Sequence, residues 1–133
     1  MYGGRWNSPG RRAIYTANSR ALAVLEILAN YTVLPNDYVM TPVELPEALV
    51  GNQTPRVSVS SYLSQFHDDL NVARYRATGD RLLTTCAVLR VPSVIVPEEY
   101  NYVINPEHPD FPLITFLPPV MFRFDPRLKM TGR

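Results

Sequence analysis

Cysteine occurs once, as Cys86, so the 133-residue chain can form no internal disulfide, and a reducing compartment is implied. Metal-ligand spacings are lacking: there is no C-x-x-C and no H-E-x-x-H, and His67-Asp68-Asp69, in a chain with two histidines, reads as a solvated loop. No bound metal is expected. Neither a G-x-G-x-x-G turn nor a G-x-x-x-x-G-K-[ST] loop is present, which removes the common dinucleotide and triphosphate cradles. Charge of one sign is also missing, since 13 Lys/Arg against 12 Asp/Glu leave a formal +1. Such a balance creates no field toward a phosphate backbone or an anionic bilayer, so no direct nucleic-acid or membrane partner is expected. The longest nearly apolar run, residues 21–29, falls short of the roughly 20 residues of a membrane span and contains Glu26. Arg5, Arg11 and Arg12 lie among glycine and proline at the start, where a secretory leader would have an apolar centre. A cytoplasmic protein is the expectation.

Proline, by contrast, is abundant: 13 residues, scattered along the chain, keep helices few and elements short. Apolar residues at 46% and charged residues at 19% suit one globular domain over residues 1–133. After a Gly-rich opening loop, residues 13–17 read as a short strand. Asn18 or Ser19 then caps a helix reaching about Asn30. Residues 38–45 read as a strand made irregular by Pro42, residues 51–55 as a turn, and residues 57–63 as a half-buried strand by their period of two. Residues 67–70 read as loop and residues 73–86 as a helix interrupted at Gly79-Asp80. Short strands are expected at 87–91, 94–96, 102–104, 113–117 and 120–124. One early helix and late strands, without βαβ alternation, make an α+β fold.

Several constellations bear on chemistry. Ser93, His108 and Asp110 carry the letters of a hydrolase triad, but Val91-Pro92-Ser93-Val94 lacks the G-x-S-x-G elbow that exposes a nucleophile. Cys86, between Thr85 and Ala87, reads as a small core residue. Glu26 is the one charge between residues 21 and 29. At about 100° per residue it falls with Ser19, Ala23 and Asn30 in a stripe about 60° wide. That stripe is either the thin polar edge of a nearly buried helix or the lining of a cleft that holds one carboxylate on a rigid element. Gly3-Gly4-Arg5-Trp6-Asn7 likewise admits two readings. One is a plain turn with a packed Trp; the other is a loop whose guanidinium fork takes phosphate oxygens while the glycines let a ligand approach.

Six motifs occur in order: Gly3-Gly4-Arg5-Trp6-Asn7-x-x-Gly10, Ile14-Tyr15-Thr16-Ala17-x-Ser19-x-Ala21-Leu22-Ala23-x-Leu25-Glu26, Thr78-Gly79-Asp80, Leu89-Arg90-Val91-Pro92-Ser93, Asn101-Tyr102-x-x-Asn105-Pro106-x-His108-Pro109-Asp110 and Phe124-Asp125-Pro126-Arg127-Leu128. In order and spacing they resemble the RES-domain family, named for an Arg, a Glu and a Ser that map onto Arg5, Glu26 and Ser93. The stretch before Gly3 is short where the family carries some tens of residues, and residues 46–77 match only loosely.

The resemblance implies an ADP-ribosyltransferase-like fold, a mixed β-sheet core with few helices. It implies the toxin of a type II toxin-antitoxin pair, acting on NAD as substrate with no further cofactor. Arg5, Glu26 and Ser93 would be catalytic, with Arg5, Trp6, Asn7 and Tyr15 binding the substrate. The partner it implies is a cognate Xre-like helix-turn-helix antitoxin, in a hetero-oligomer that blocks the site. Hydrolysis or phosphorolysis of NAD is the first reading. ADP-ribosyl transfer to a protein, or a non-catalytic interaction module on the same scaffold, are the alternatives. His108 is left between orienting the site and stabilising its loop.

Overall fold

A computed structural model describes residues 3–31, 33–34, 37–55 and 69–128. Strand β1 (Ile14–Ala17) leads into helix α1 (Arg20–Asn30), whose start is set by Ser19: its hydroxyl accepts from the Leu22 N–H at 3.1 Å. Strands β2 (Tyr38–Met40) and β3 (Val43–Glu44) flank Pro42, which splits the expected single strand because proline offers no ladder N–H. Helix α2 (Asp69–Thr85) precedes β4 (Val88–Pro92) and β5 (Tyr100–Ile104); β6 (Thr115–Phe116) and β7 (Val120–Phe122) follow. The fold is α+β.

The central sheet has the order β1-β5-β4, antiparallel throughout, with Tyr15 opposite Val103, Ala17 opposite Asn101, and Asn101 also opposite Val91. A parallel bridge from Val50 to Val88 extends it, closed by the Gly51 N–H on the Val88 carbonyl at 2.9 Å. Two smaller ladders pair β2 with β7 and β3 with β6. Because strand side chains alternate, this register sorts the central sheet into two faces. Leu89, Val91 and Val103 face a core with Trp6 and with Tyr75, Leu82 and Leu83 of α2. Val88 and Ile104 face the other way, onto Ala87, Ile114 and partly buried residues that include Ile14, Val43 and Leu49.

Two expectations are corrected. Helix α2 covers Asp69–Thr85 and runs through Gly79 without a break, so Asp69 and Leu70 are helical and not loop. Gly79 is a contact residue here: a Cβ on it would overlap the Trp6 carbonyl. Residues 94–96 form a bend, not a strand, because the Ser93 hydroxyl accepts from both the Ile95 and Val96 N–H groups at 3.1 Å, and a turn follows in which the Glu99 N–H closes on Val96 O at 2.8 Å. The expected strand at 57–63 and the pair His67-Asp68 lie outside the described residues.

Candidate active site

The N-terminal loop is shaped by side chains that bond to its backbone. Asn7 Oδ1 accepts from the Gly4 N–H at 2.9 Å and from the Tyr15 hydroxyl at 2.5 Å, while Asn7 Nδ2 donates to the Arg11 carbonyl at 2.6 Å. The Tyr15 hydroxyl in turn accepts from the Trp6 N–H at 3.1 Å. Gly4 is required by closeness, since a Cβ there would run into the Tyr15 phenol. Helix α2 holds the loop from its other side: Arg76 Nε donates to the Gly4 carbonyl at 2.8 Å, and Asp80 accepts from the Ser8 N–H and hydroxyl at 3.1 and 2.5 Å. Arg11 adds an ion pair to Asp80 at 3.9 Å. Trp6 is 1% exposed, its ring tilted on Tyr75 at 5.2 Å.

Trp6 and Asn7, expected to bind a ligand, are thus buried and engaged in framing the loop. Of the four loop-side candidates, the half-buried Arg5 and the 43%-exposed Tyr15 are the ones with surface to offer. Burial of its hydroxyl pushes the Tyr15 phenol above its ordinary value, while the Trp6 N–H and then the charges of Arg5 and Arg76 pull it back. Tyr15 therefore stays a neutral donor to Asn7, and the Arg5 charge lies close enough to be felt there.

The second cluster centres on Glu26. Helix α1 carries it, half-buried, to the turn after β4 and to Asn101 near the start of β5. Ser93 Oγ donates to Glu26 Oε2 at 2.8 Å and Asn101 Nδ2 donates to the same oxygen at 2.7 Å. Among the described residues, both donors to the carboxylate are therefore on Oε2. Ser93 is 0% exposed, and its hydroxyl is filled: the proton goes to Glu26 and the lone pairs take two backbone N–H groups. That is the bonding of a group that aims another side chain, not of an exposed nucleophile. The Ser93-His108-Asp110 triad is accordingly not assembled. Ser93 donates to Glu26, and His108 Nδ1 accepts from the Asp110 N–H at 3.0 Å, closing its own loop.

The two clusters share one face of the sheet. Tyr15 and Ala17 point to the same side of β1, and Asn101 lies directly across from Ala17. Tyr15 and Asn101 are thus diagonal neighbours, about 7–8 Å apart in such a ladder. Sequence reasoning missed Asn101, Arg76 and Asp80 as site-builders, although all but Arg76 fall within the quoted motifs.

Two cavities, of about 480 and 520 Å³, lie along α2 beside residues 52–55 and 48–53 and share Arg81 and Leu82. His108 and the half-buried Cys86 border the second, where burial raises the Cys86 thiol above its ordinary value and its S–H donates to Leu82 O at 3.2 Å. Among the described residues no cluster of three or more His, Cys, Asp or Glu is suited to a metal, and no helix is long and apolar enough to cross a membrane.

Comparison with known proteins agrees along the chain. The chain is 36% identical over 131 residues to a protein of Sphingobium sp. (strain YBL2) named "Prs ADP-ribosylating toxin", covering 95% of this chain and 80% of that protein. It is 32% identical over 133 residues to a "Toxin Res" of Yersinia enterocolitica, covering 96% and 85%, and 35% identical over 112 residues to a "Toxin Res" of Pseudomonas putida, covering 80% and 72%. A model of the RES domain family matches residues 1–125. The protein belongs to the RES domain family of toxins.

Proposed function

We propose that this toxin consumes NAD by breaking the bond between nicotinamide and ribose, with Glu26 stabilising the sugar as the bond breaks. The observation that carries this reading is the state of the Glu26 carboxylate. Oε2 is held by Ser93 and Asn101, and Oε1 receives no hydrogen bond from the described residues, on the sheet face that also bears Tyr15 and the Arg5 loop. Nicotinamide leaves as a neutral base from a pyridinium, taking the bonding pair with it, so no acid is required. One carboxylate then suffices for an oxocarbenium-like transition state. Glu26 Oε1 accepts a ribose hydroxyl and places its charge beside the positive charge that develops on the ring.

The half-buried Arg5 would offer its planar fork to the pyrophosphate oxygens, and the exposed ring of Tyr15 would flank the nicotinamide. Ser93 acts through Glu26, while Trp6 and Asn7 give the Arg5 loop its shape. Water or phosphate adds to the anomeric carbon and the displaced proton passes to solvent. The protein works in the cytoplasm, where a cognate Xre-like helix-turn-helix antitoxin restrains it by covering this face.

A second reading, transfer of ADP-ribose to a protein, uses the same cleavage and draws on the name of the Sphingobium relative. Incubation of the purified chain with NAD tests both. Nicotinamide release accompanied by free ADP-ribose, or by its 1-phosphate when phosphate is added, supports the first. Label retained on an acceptor protein supports the second. A folded protein that releases no nicotinamide overturns both and leaves the interaction module.

A further inference from the structure

We propose that Asn101 is a positioning residue that decides which Glu26 oxygen meets the ligand, a role that rests on the reading of Glu26 given above. A terminal carboxylate torsion is broad and nearly two-fold, so a Glu side chain presents either oxygen unless something distinguishes them. Ser93 alone supplies one donor, which anchors an oxygen but leaves the carboxylate plane free to turn about that bond. Asn101 supplies a second donor to the same Oε2, at 2.7 Å and from β5, whereas Ser93 follows the end of β4. Two donors on one oxygen hold both that oxygen and the plane, and Oε1 is thereby left as the acceptor for a substrate hydroxyl.

The position of Asn101 suits that task. It sits in β5, the middle strand of the central sheet, bonded on one side to β1 and on the other to β4, so its backbone is held by a ladder on each side. Its neighbour across β1 is Ala17, whose small side chain leaves space for the carboxylate. The amide can face only one way: turned over, its oxygen would oppose Glu26 Oε2, acceptor against acceptor. In the orientation seen, Asn101 Oδ1 is buried and has no hydrogen-bond partner among the described residues. A buried, unfilled carbonyl works against stability, and an apolar residue would join Val91 and Val103 on the same face more favourably. An amide kept at such a position is explained by what its nitrogen does to Glu26.

The test compares wild-type protein with Asn101→Ala and Asn101→Asp in nicotinamide release from NAD, with kcat and KM resolved and melting temperatures recorded. Both variants should lose about 10- to 100-fold in kcat with KM within about threefold, because a misaimed group harms the transition state more than binding. Asn101→Asp keeps the shape and removes the donor, so it should give no rescue. Wild-type kcat in Asn101→Ala, or in Asn101→Asp, overturns the proposal. A second measurement needs neither variant to fold: the side-chain amide resonances of Asn101 should shift between wild type and Glu26→Gln, and unchanged resonances overturn it as well. If wild-type protein releases no nicotinamide, the reading of Glu26 itself fails. If wild type is active and Asn101→Ala equally so, only the role of Asn101 fails.

Discussion

The Arg5 loop and the Glu26 cluster lie on the same face of one sheet, yet they are built in opposite senses. In the loop, side chains hold backbone: Asn7 takes the Gly4 N–H, Arg76 the Gly4 carbonyl and Asp80 the Ser8 N–H. In the cluster, backbone holds side chain: the Ile95 and Val96 N–H groups fix the Ser93 hydroxyl, which with Asn101 fixes a carboxylate. The first arrangement determines the path of the main chain and so the shape offered to a ligand. The second determines the direction of a single charge. Damage to the loop should therefore appear in folding and affinity, and damage to the cluster in turnover.

The largest separation between the two should come from Glu26→Gln. Induced in a bacterial host without an antitoxin, wild-type protein should deplete cellular NAD and arrest growth. The Glu26→Gln protein, equally abundant and equally folded, should do neither, its turnover reduced by about 100-fold or more. Growth arrest by both would break the distinction. Gly79→Ala should act in the opposite manner, mainly on stability. Helix propensity alone gives alanine an advantage of about 1 kcal/mol, but the new Cβ overlaps the Trp6 backbone, which has no rotamer to yield. Overpacking of that kind costs up to about 3 kcal/mol. A melting temperature lower by roughly 5–10 °C is expected, and a rise would show that α2 does not press on the loop.

Asp80→Ala removes the acceptor for two Ser8 bonds and the Arg11 ion pair. It should raise KM for NAD by about three- to tenfold and leave kcat within about threefold, the reverse of a Glu26-cluster variant. The smallest effect is alkaline. Because burial raises the Tyr15 phenol above 10.0, the folded state holds its proton more tightly than the unfolded chain. The associated stability is present below pH 10.0 and is lost as pH rises through the raised value. Cys86, raised from 9.0, contributes with the same sign at lower pH. Tyr15→Phe should flatten the decline in melting temperature above about pH 10, and an unaltered slope would assign it to other groups.

Features governed by neighbours along the chain were legible in the sequence. Helix α1 is capped by Ser19 and ends at Asn30 because a hydroxyl cap and a run of helix formers are local signals. Its polar stripe divides between the two readings open to it: Ser19 and Asn30 meet water at the ends, while Glu26 turns inward to Ser93 and Asn101. What supports Glu26 was not legible, since its two donors lie 67 and 75 residues away. Gly79 reads as a break because its tolerance in a helix depends on Trp6, which is distant in sequence. Residues 94–96 carry strand-forming side chains, but the Ser93 hydroxyl captures their N–H groups before a ladder can. Of the Arg, Glu and Ser of the motifs, Ser93 reaches Glu26 directly, and Asn101, which also donates to Glu26, shares a sheet face with Tyr15.

The central claim is that one oriented carboxylate breaks the nicotinamide–ribose bond. It is tested most directly by following nicotinamide released from saturating NAD by purified wild-type protein and by folded Glu26→Gln in parallel. Many turnovers by wild type and a rate lower by about 100-fold or more in the variant are predicted. Equal rates in the two proteins, or no release by either, would contradict it.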